Sequence, residues 1–135
     1  MTRETLYDIE PPKNVSVEES NQNKAQELES SPPAESAGKE AKVQYYDKLA
    51  YAYDKTGAYQ EAIDAFNKRV AISTQGVDYY MYFSLARYYH EVGDAAGALA
   101  ALDKAEALLP PSNPNEGYSR EAKVDMINAL RKEYQ

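Results

Sequence analysis

The apolar residues after Lys42 recur with the spacing of amphipathic helices. Over residues 42–56 they fall at i, i+3, i+4 and i+7, and over residues 58–72 a second set follows the same period. Gly57 lies between the two sets and suits the left-handed end of a helix. The spacing therefore predicts two helices of about 14 residues that form an antiparallel hairpin. The residues of the two stripes are Tyr46, Leu49, Ala50 and Tyr53, and then Tyr59, Ala62, Ile63, Phe66 and Val70.

The same pattern returns 36 residues later. Asp78 is a suitable N-cap for a third helix, and Gly93 stands where Gly57 stands in the first copy. Pro110 and Pro111 end a fourth helix. A tandem pair of helical hairpins is therefore predicted, over about residues 43–76 and 79–112. The matching residues of the second copy are Tyr82, Leu85, Ala86, Tyr89, Ala98, Leu99 and Leu102.

A last helix is predicted within residues 113–135. Asn113 and Ser119 are alternative caps for its start. One face carries apolar residues and the opposite face carries charged ones, so we expect the helix to cover the end of the stack of hairpins. The apolar residues are Ala122, Met126, Ile127, Leu130 and Tyr134.

Residues 1–41 have the composition of a disordered acidic tail or linker. The segment is rich in Pro, Ser and Glu, and its apolar residues are too sparse to offset the entropy lost on ordering. Residues 18–29 have the composition of a transient helix but no apolar stripe with which to dock. One short apolar cluster, Leu6, Tyr7 and Ile9, leaves a docking motif as the alternative to a plain tail.

Residues 43–112 resemble the tetratricopeptide repeat. The first copy reads Tyr46-x2-Leu49-Ala50-x2-Tyr53, then Gly57, Ala62 and Phe66; the second reads Tyr82-x2-Leu85-Ala86-x2-Tyr89, then Gly93, Ala98, Leu102 and the closing Pro110. The resemblance implies an all-α fold, a right-handed superhelical stack of hairpins with about five helices. In such a stack the alanines at positions 50, 62, 86 and 98 would lie where helices approach most closely.

Three features depart from the family's pattern. The copies are 36 residues apart instead of 34, which places a longer loop at Thr74-Gln75-Gly76. Arg69 occupies a position at which the family has a small residue, so we expect either its stem along the interface with the guanidinium in water or a local slip in register. Two repeats are few for a stable array. The last helix is expected to complete the stack as a monomer, with a dimer as the alternative.

The resemblance also implies a concave groove lined by the first helix of each hairpin. We expect Tyr51, Tyr80 and Phe83 to be spare aromatic rings on that surface. Arg87 is expected to pair with Asp47 or Asp54 within the groove, in preference to a carboxylate of a partner. The acidic and aromatic lining suits a partner segment with basic and apolar side chains. The groove positions are Gln44, Asp47, Tyr51 and Asp54 in the first repeat, and Tyr80, Phe83, Arg87 and His90 in the second.

Composition argues against several classes of partner and cofactor. A formal net charge of -7 argues against nucleic acid, whose phosphates need a concentrated basic surface. With no cysteine and one histidine, we expect no metal and no cofactor, and His90 is expected to be a surface residue. No apolar run approaches the length of about 20 residues that a membrane helix needs. The compartment stays open: cytoplasmic by default, extracytoplasmic if a signal or anchor has been removed.

These observations favour a non-catalytic adaptor or scaffold that binds a protein or peptide in its groove. The alternative is a structural assembly or dimerisation unit of a larger complex, including a membrane-anchored one. Catalysis is not expected, because no phosphate-binding loop or nucleophile motif is present in the sequence.

Overall fold

A computed structural model describes residues 17–113, 115 and 117–135 of the chain. This part of the protein is all-helical and contains no strand, as predicted. Its helices are α1 (Val17–Ser30), α2 (Lys39–Thr56), α3 (Tyr59–Ile72), α4 (Tyr79–Glu91), α5 (Ala95–Ala107) and α6 (Arg120–Tyr134). Each helix packs mainly against the next one in chain order, so the core is built by stacking.

The two hairpins turn with the same backbone geometry. Gly57 and Gly93 have φ angles of 77° and 81°, in the left-handed region that favours glycine. The amide of Ala58 donates to the Tyr53 carbonyl at 2.9 Å, and the amide of Asp94 donates to the Tyr89 carbonyl at 2.8 Å. Each bond satisfies a carbonyl that the helix end leaves open. The predicted glycine helix ends are confirmed.

Side-chain caps fix the starts of three helices. Asp78 accepts a hydrogen bond from the amide of Met81 at 3.0 Å, and Asp94 accepts one from Gly97 at 2.8 Å. Ser119 accepts one from the amide of Ala122 at 3.1 Å. The last helix therefore begins at Arg120, and of the two predicted caps it uses Ser119.

Small residues lie where neighbouring helices meet. Ala62, Ala86 and Ala98 have no exposed surface, whereas Ala50 is only half-buried and Ala52 is the buried alanine of α2. Leu102 of α5 and Ile127 of α6 are the largest fully buried side chains of the described residues. Ile127 and Tyr134 join the main apolar core, so α6 packs against the helices that precede it.

The structure differs from the sequence prediction over residues 17–41. The prediction of disorder for residues 1–16, and the docking motif at residues 6–9, lie outside the described residues. Within 17–41, α1 forms and packs against α2, which itself begins at Lys39. A narrow stripe suffices for this contact: Ala25 is buried and Leu28 is half-buried. So few apolar positions give no clear helical period in the sequence.

Arg69 also differs from expectation. Its side chain is buried, with 4% of the residue exposed, instead of reaching into water. The guanidinium donates to Asp47 at 3.1 Å, to the Gln75 carbonyl at 2.7 Å and to the Ser73 carbonyl. The long connecting loop thus supplies two of the acceptors that make burial of this charge tolerable.

The outer surface carries two equivalent hollows, one in each repeat. The floor of the first is Tyr46, Leu49 and Tyr53, and that of the second is Tyr82, Leu85 and Tyr89. Lys68 lies 5.9 Å from the ring centre of Tyr46, and Lys104 lies 6.0 Å from that of Tyr82. The walls of the two hollows differ. The first hollow is lined by Glu61, Asp64 and Ala65, and the equivalent residues of the second are Gly97, Ala100 and Ala101. Side-chain geometry therefore repeats at the 36-residue spacing.

Gly97 is required by the ring of Tyr89. A Cβ atom at Gly97 would lie 2.6 Å from Tyr89 Cδ1, which is too close without a shift of the ring. We expect Gly97→Ala to lower the free energy of unfolding by about 1–2 kcal/mol, since overpacking outweighs the gain in helix propensity. In a Tyr89→Ala background the same change should stabilise by up to about 1 kcal/mol. Urea denaturation of the four proteins checks this coupling, and additive effects would contradict it.

The role of Arg69 can be tested with a substitution that keeps its charge. Arg69→Lys should lower the free energy of unfolding by about 2–3 kcal/mol, because one ammonium cannot serve three divergent acceptors. The matched control is Arg131→Lys, whose guanidinium pairs with Asp103 and Glu106 nearer the surface and whose replacement should cost less than about 1 kcal/mol. Equal losses in thermal or urea denaturation would show that the buried network is not what stabilises the loop.

Candidate partner-binding face

The first helices of the two hairpins lie side by side. Asp54 of α2 accepts a hydrogen bond from Arg87 Nη2 at 2.9 Å and another from the Tyr88 hydroxyl at 2.8 Å, both on α4. Arg87 also lies with its guanidinium carbon 5.6 Å from the ring centre of Tyr59. This network places the predicted groove residues of the two repeats on adjoining helices. It also confirms that Arg87 pairs within the chain, with Asp54 and not with Asp47.

An equivalent contact joins α4 to α6. His90, which stands 36 residues after Asp54, stacks on the ring of Tyr134 with centres 4.3 Å apart and planes at 19°. Lys123 of α6 lies 5.1 Å from the ring centre of Tyr79. Asp54 and His90 thus each contact the next first helix of the stack. His90 is exposed, as expected for a surface residue, and its ring contacts α6.

Two aromatic rings project from α2 and α4. Tyr51 is 63% exposed and Tyr80 is 62% exposed. Lys55 Nζ lies 5.1 Å from the ring centre of Tyr51, and the ring of Tyr80 lies 4.3 Å from that of Tyr79. We call the surface formed by Gln44, Lys48, Tyr51 and Lys55 on α2 and by Tyr80 and Arg87 on α4 the aromatic face.

Phe83 does not project as predicted. It is half-buried, packs against the main core and meets the ring of Tyr79 edge-on at 5.8 Å. Its ring also lies 6.3 Å from that of Tyr80, so it supports the exposed ring from below. The sequence alone does not show that Tyr79 packs beside Phe83.

The carboxylates predicted for the groove are already engaged. Asp47 pairs with Arg69, and Asp54 pairs with Arg87 and Tyr88. Lys48 and Lys55, one turn on either side of Tyr51, are exposed. Sequence reasoning missed these two lysines as parts of the face, although their spacing from Tyr51 places all three on one helix surface. The α2 half of the face is therefore basic, in a chain that is acidic as a whole.

Gln44 lies at the far end of the aromatic face. It is exposed and lines a hollow with Lys39, Val43, Ser73 and Gln75, beside the loop held by Arg69. The structure thus brings Tyr51 and Arg87 to one end of the face, near Asp54, and leaves Gln44 and Tyr80 toward the starts of their helices.

Two tyrosines have a raised pKa: Tyr88, which contacts Asp54, and Tyr53, on the side of α2 that faces α1. Burial, together with its hydrogen bond to Asp54, raises the pKa of Tyr88 well above the ordinary value. Burial and the neighbouring Glu29 carboxylate of α1 raise the pKa of Tyr53 to about 12. In both cases the neutral hydroxyl is the form that the packing and the adjacent carboxylate require.

Neither a metal centre nor a membrane helix is found in the described part of the chain. Its His, Asp and Glu side chains form no group of three that could hold an ion. None of its helices combines the length and the apolar character needed to cross a bilayer.

The tyrosine shifts predict a loss of stability at alkaline pH. The folded state binds these protons more tightly than the unfolded state, so their contribution is complete below about pH 10 and is lost as pH rises through the folded pKa. For Tyr53 the loss should fall between its ordinary value of 10.0 and about 12. Urea denaturation across this range should give a flatter slope for Tyr53→Phe and for Tyr88→Phe.

The comparisons with known proteins found no relative. No family model matches the chain, and neither the curated proteins nor the solved structures gave a match. The resemblance to the tetratricopeptide repeat thus depends on the residues of this chain alone.

Proposed function

We propose that this chain is a non-catalytic protein-interaction module of the tetratricopeptide type, which binds a peptide segment of a partner on its aromatic face. The observation that carries the proposal is the pair of exposed rings, Tyr51 and Tyr80, on two helices that Asp54 ties together. Binding, rather than catalysis, is favoured because the carboxylates of Asp47 and Asp54 are engaged in internal ion pairs.

The repeat architecture is supported by geometry that occurs twice. The glycine turns and the tyrosine-floored hollows recur 36 residues apart. Asp54 and His90, which are also 36 residues apart, each contact a side chain of α4 or α6, respectively. Packing of each helix on the next in chain order is what a solenoid of hairpins requires. A right-handed superhelix, with the aromatic face on its concave side, is part of this proposal.

The exposed rings are suited to recognition. A tyrosine buries a large area on binding while it fixes only two side-chain torsions, and such rings are enriched among residues that dominate binding energy. Tyr51 is not part of the main apolar core, so the fold gives no packing reason for a ring at that position. Asp54, Arg87 and Tyr88 hold the backbone beneath it.

The partner's chemistry is revised from the sequence prediction. Apolar or aromatic side chains are still proposed as its anchors, because rings are what the aromatic face offers. Basic side chains are no longer favoured, since Asp47 and Asp54 already have arginine partners and Lys48 and Lys55 flank Tyr51. A partner with basic residues would add like charge to the α2 half of the face.

A displayed library of random peptides, selected on the full chain, tests this proposal. Selected peptides should bind Tyr51→Ala/Tyr80→Ala at least about tenfold more weakly than the parent, because each truncated anchor removes more than about 1 kcal/mol. The matched control is Tyr118→Ala/Met126→Ala, which removes two side chains that are 67% and 50% exposed elsewhere on the chain. Circular dichroism should show the same helix content for all three proteins.

Two outcomes would reject the proposal. Peptides that bind both double variants like the parent would show that the aromatic face is not the site. Sedimentation that reveals a dimer, which the Tyr51→Ala/Tyr80→Ala change dissociates, would assign the rings to self-assembly, the alternative function considered from the sequence.

A further inference from the structure

The chain contains a segment whose chemistry complements the α2 half of the aromatic face. Residues 4–10 carry three carboxylates, Glu4, Asp8 and Glu10, around the apolar cluster Leu6, Tyr7 and Ile9. This segment has no basic residue. It thus combines the negative charge and the apolar side chains that the face around Tyr51 lacks.

The surface around Tyr51 carries a local positive charge. Asp47 and Asp54 are neutralised by Arg69 and Arg87, which leaves Lys48 and Lys55 as the charges beside Tyr51. On the α4 side, Glu91 stands at the position equivalent to Lys55 and is exposed. An acidic ligand is therefore favoured on α2, at Tyr51, and disfavoured toward the end of α4.

The position of α1 brings the segment within reach. Gln22, Ala25 and Gln26 of α1 border a hollow with Thr56 and Gly57, at the end of α2 that carries Lys55. Val17 precedes Gln22 by five residues, which is about 8 Å along a helix. The six residues 11–16 can span at most about 20 Å, so residues 4–10 are tethered close to the end of α2 that carries Lys55.

We infer that residues 4–10 bind the face around Tyr51, Lys48 and Lys55 of the same chain, and that they compete with the partner. The inference rests on the proposed function, because it assigns a built-in competitor to the same site. The tether makes weak contacts sufficient: an effective concentration in the millimolar range would hold a segment of millimolar affinity in place about half of the time.

The absence of cysteine in the chain allows a direct test by site-specific labelling. A nitroxide on Thr2→Cys of the full chain should strongly attenuate the amide NMR signals of Lys48, Tyr51 and Lys55, and should leave those of Met126 and Lys132 unchanged. Leu6→Ser/Tyr7→Ser/Ile9→Ser in the labelled chain should restore the attenuated signals. Lys48→Glu/Lys55→Glu should restore them as well, whereas the control Lys132→Glu should not.

Two results would overturn the inference. The first is the lack of attenuation at Tyr51. The second is attenuation of equal size when isotope-labelled chain without nitroxide is mixed with nitroxide-labelled chain, because the segment would then bind a second copy instead of its own.

Competition supplies a second readout that separates this inference from the proposed function. Peptides selected on the parent should bind the Leu6→Ser/Tyr7→Ser/Ile9→Ser chain at least about twofold more tightly, since removal of a competitor that is docked half of the time doubles the apparent affinity. If these affinities are unchanged while Tyr51→Ala/Tyr80→Ala still abolishes binding, the inference fails and the proposed function stands. If Tyr51→Ala/Tyr80→Ala has no effect on the selected peptides either, both fail.

Discussion

Close approach of neighbouring helices at fully buried alanines is the constraint on which the rest of the structure depends. Ala62, Ala86 and Ala98 have no exposed surface, and each stands where a larger side chain would separate two backbones. A separate contact joins the two hairpins, since Asp54 of α2 accepts hydrogen bonds from Arg87 and Tyr88 of α4. The rings of Tyr51 and Tyr80 remain exposed on the two helices that this contact connects.

Much of this fold could be predicted from the sequence, because periodicity and caps are local signals. The apolar stripes gave the helices from α2 onward, and Gly57, Gly93 and Asp78 gave their ends. The signals failed where stability depends on distant groups. Arg69 is buried because the carbonyls of Ser73 and Gln75 turn toward it, and no periodic pattern encodes the path of a loop. A transient helix was predicted over residues 18–29, but its docking on α2 was not, because Ala25 and Leu28 form too short a stripe to be recognised in a polar segment.

Some residues of the candidate site could likewise be predicted from the sequence, and others could not. Exposure of Tyr51 and Tyr80 follows from helix position alone, and both were predicted. Phe83 and His90 share that helix surface, but Phe83 is half-buried against Tyr79 of the same helix, and His90, although exposed, stacks on Tyr134 of α6. Position on a helical wheel thus identifies a surface that faces away from the hairpin, and contacts within α4 and with α6 decide which of its side chains have no packing partner in the core.

The two copies are similar in geometry but are not interchangeable. Arg69 of the first copy stands where Ala105 stands in the second, 36 residues later, and both are buried. The arginine anchors the junction that leads into another hairpin, whereas the alanine lets α6 pack closely at the end of the array. A longer protein assembled by duplicating the first copy would carry its own junction anchor at every joint. A protein assembled from the second copy would lack this anchor at every joint. The two copies therefore cannot exchange places without loss of the bonds that Arg69 makes.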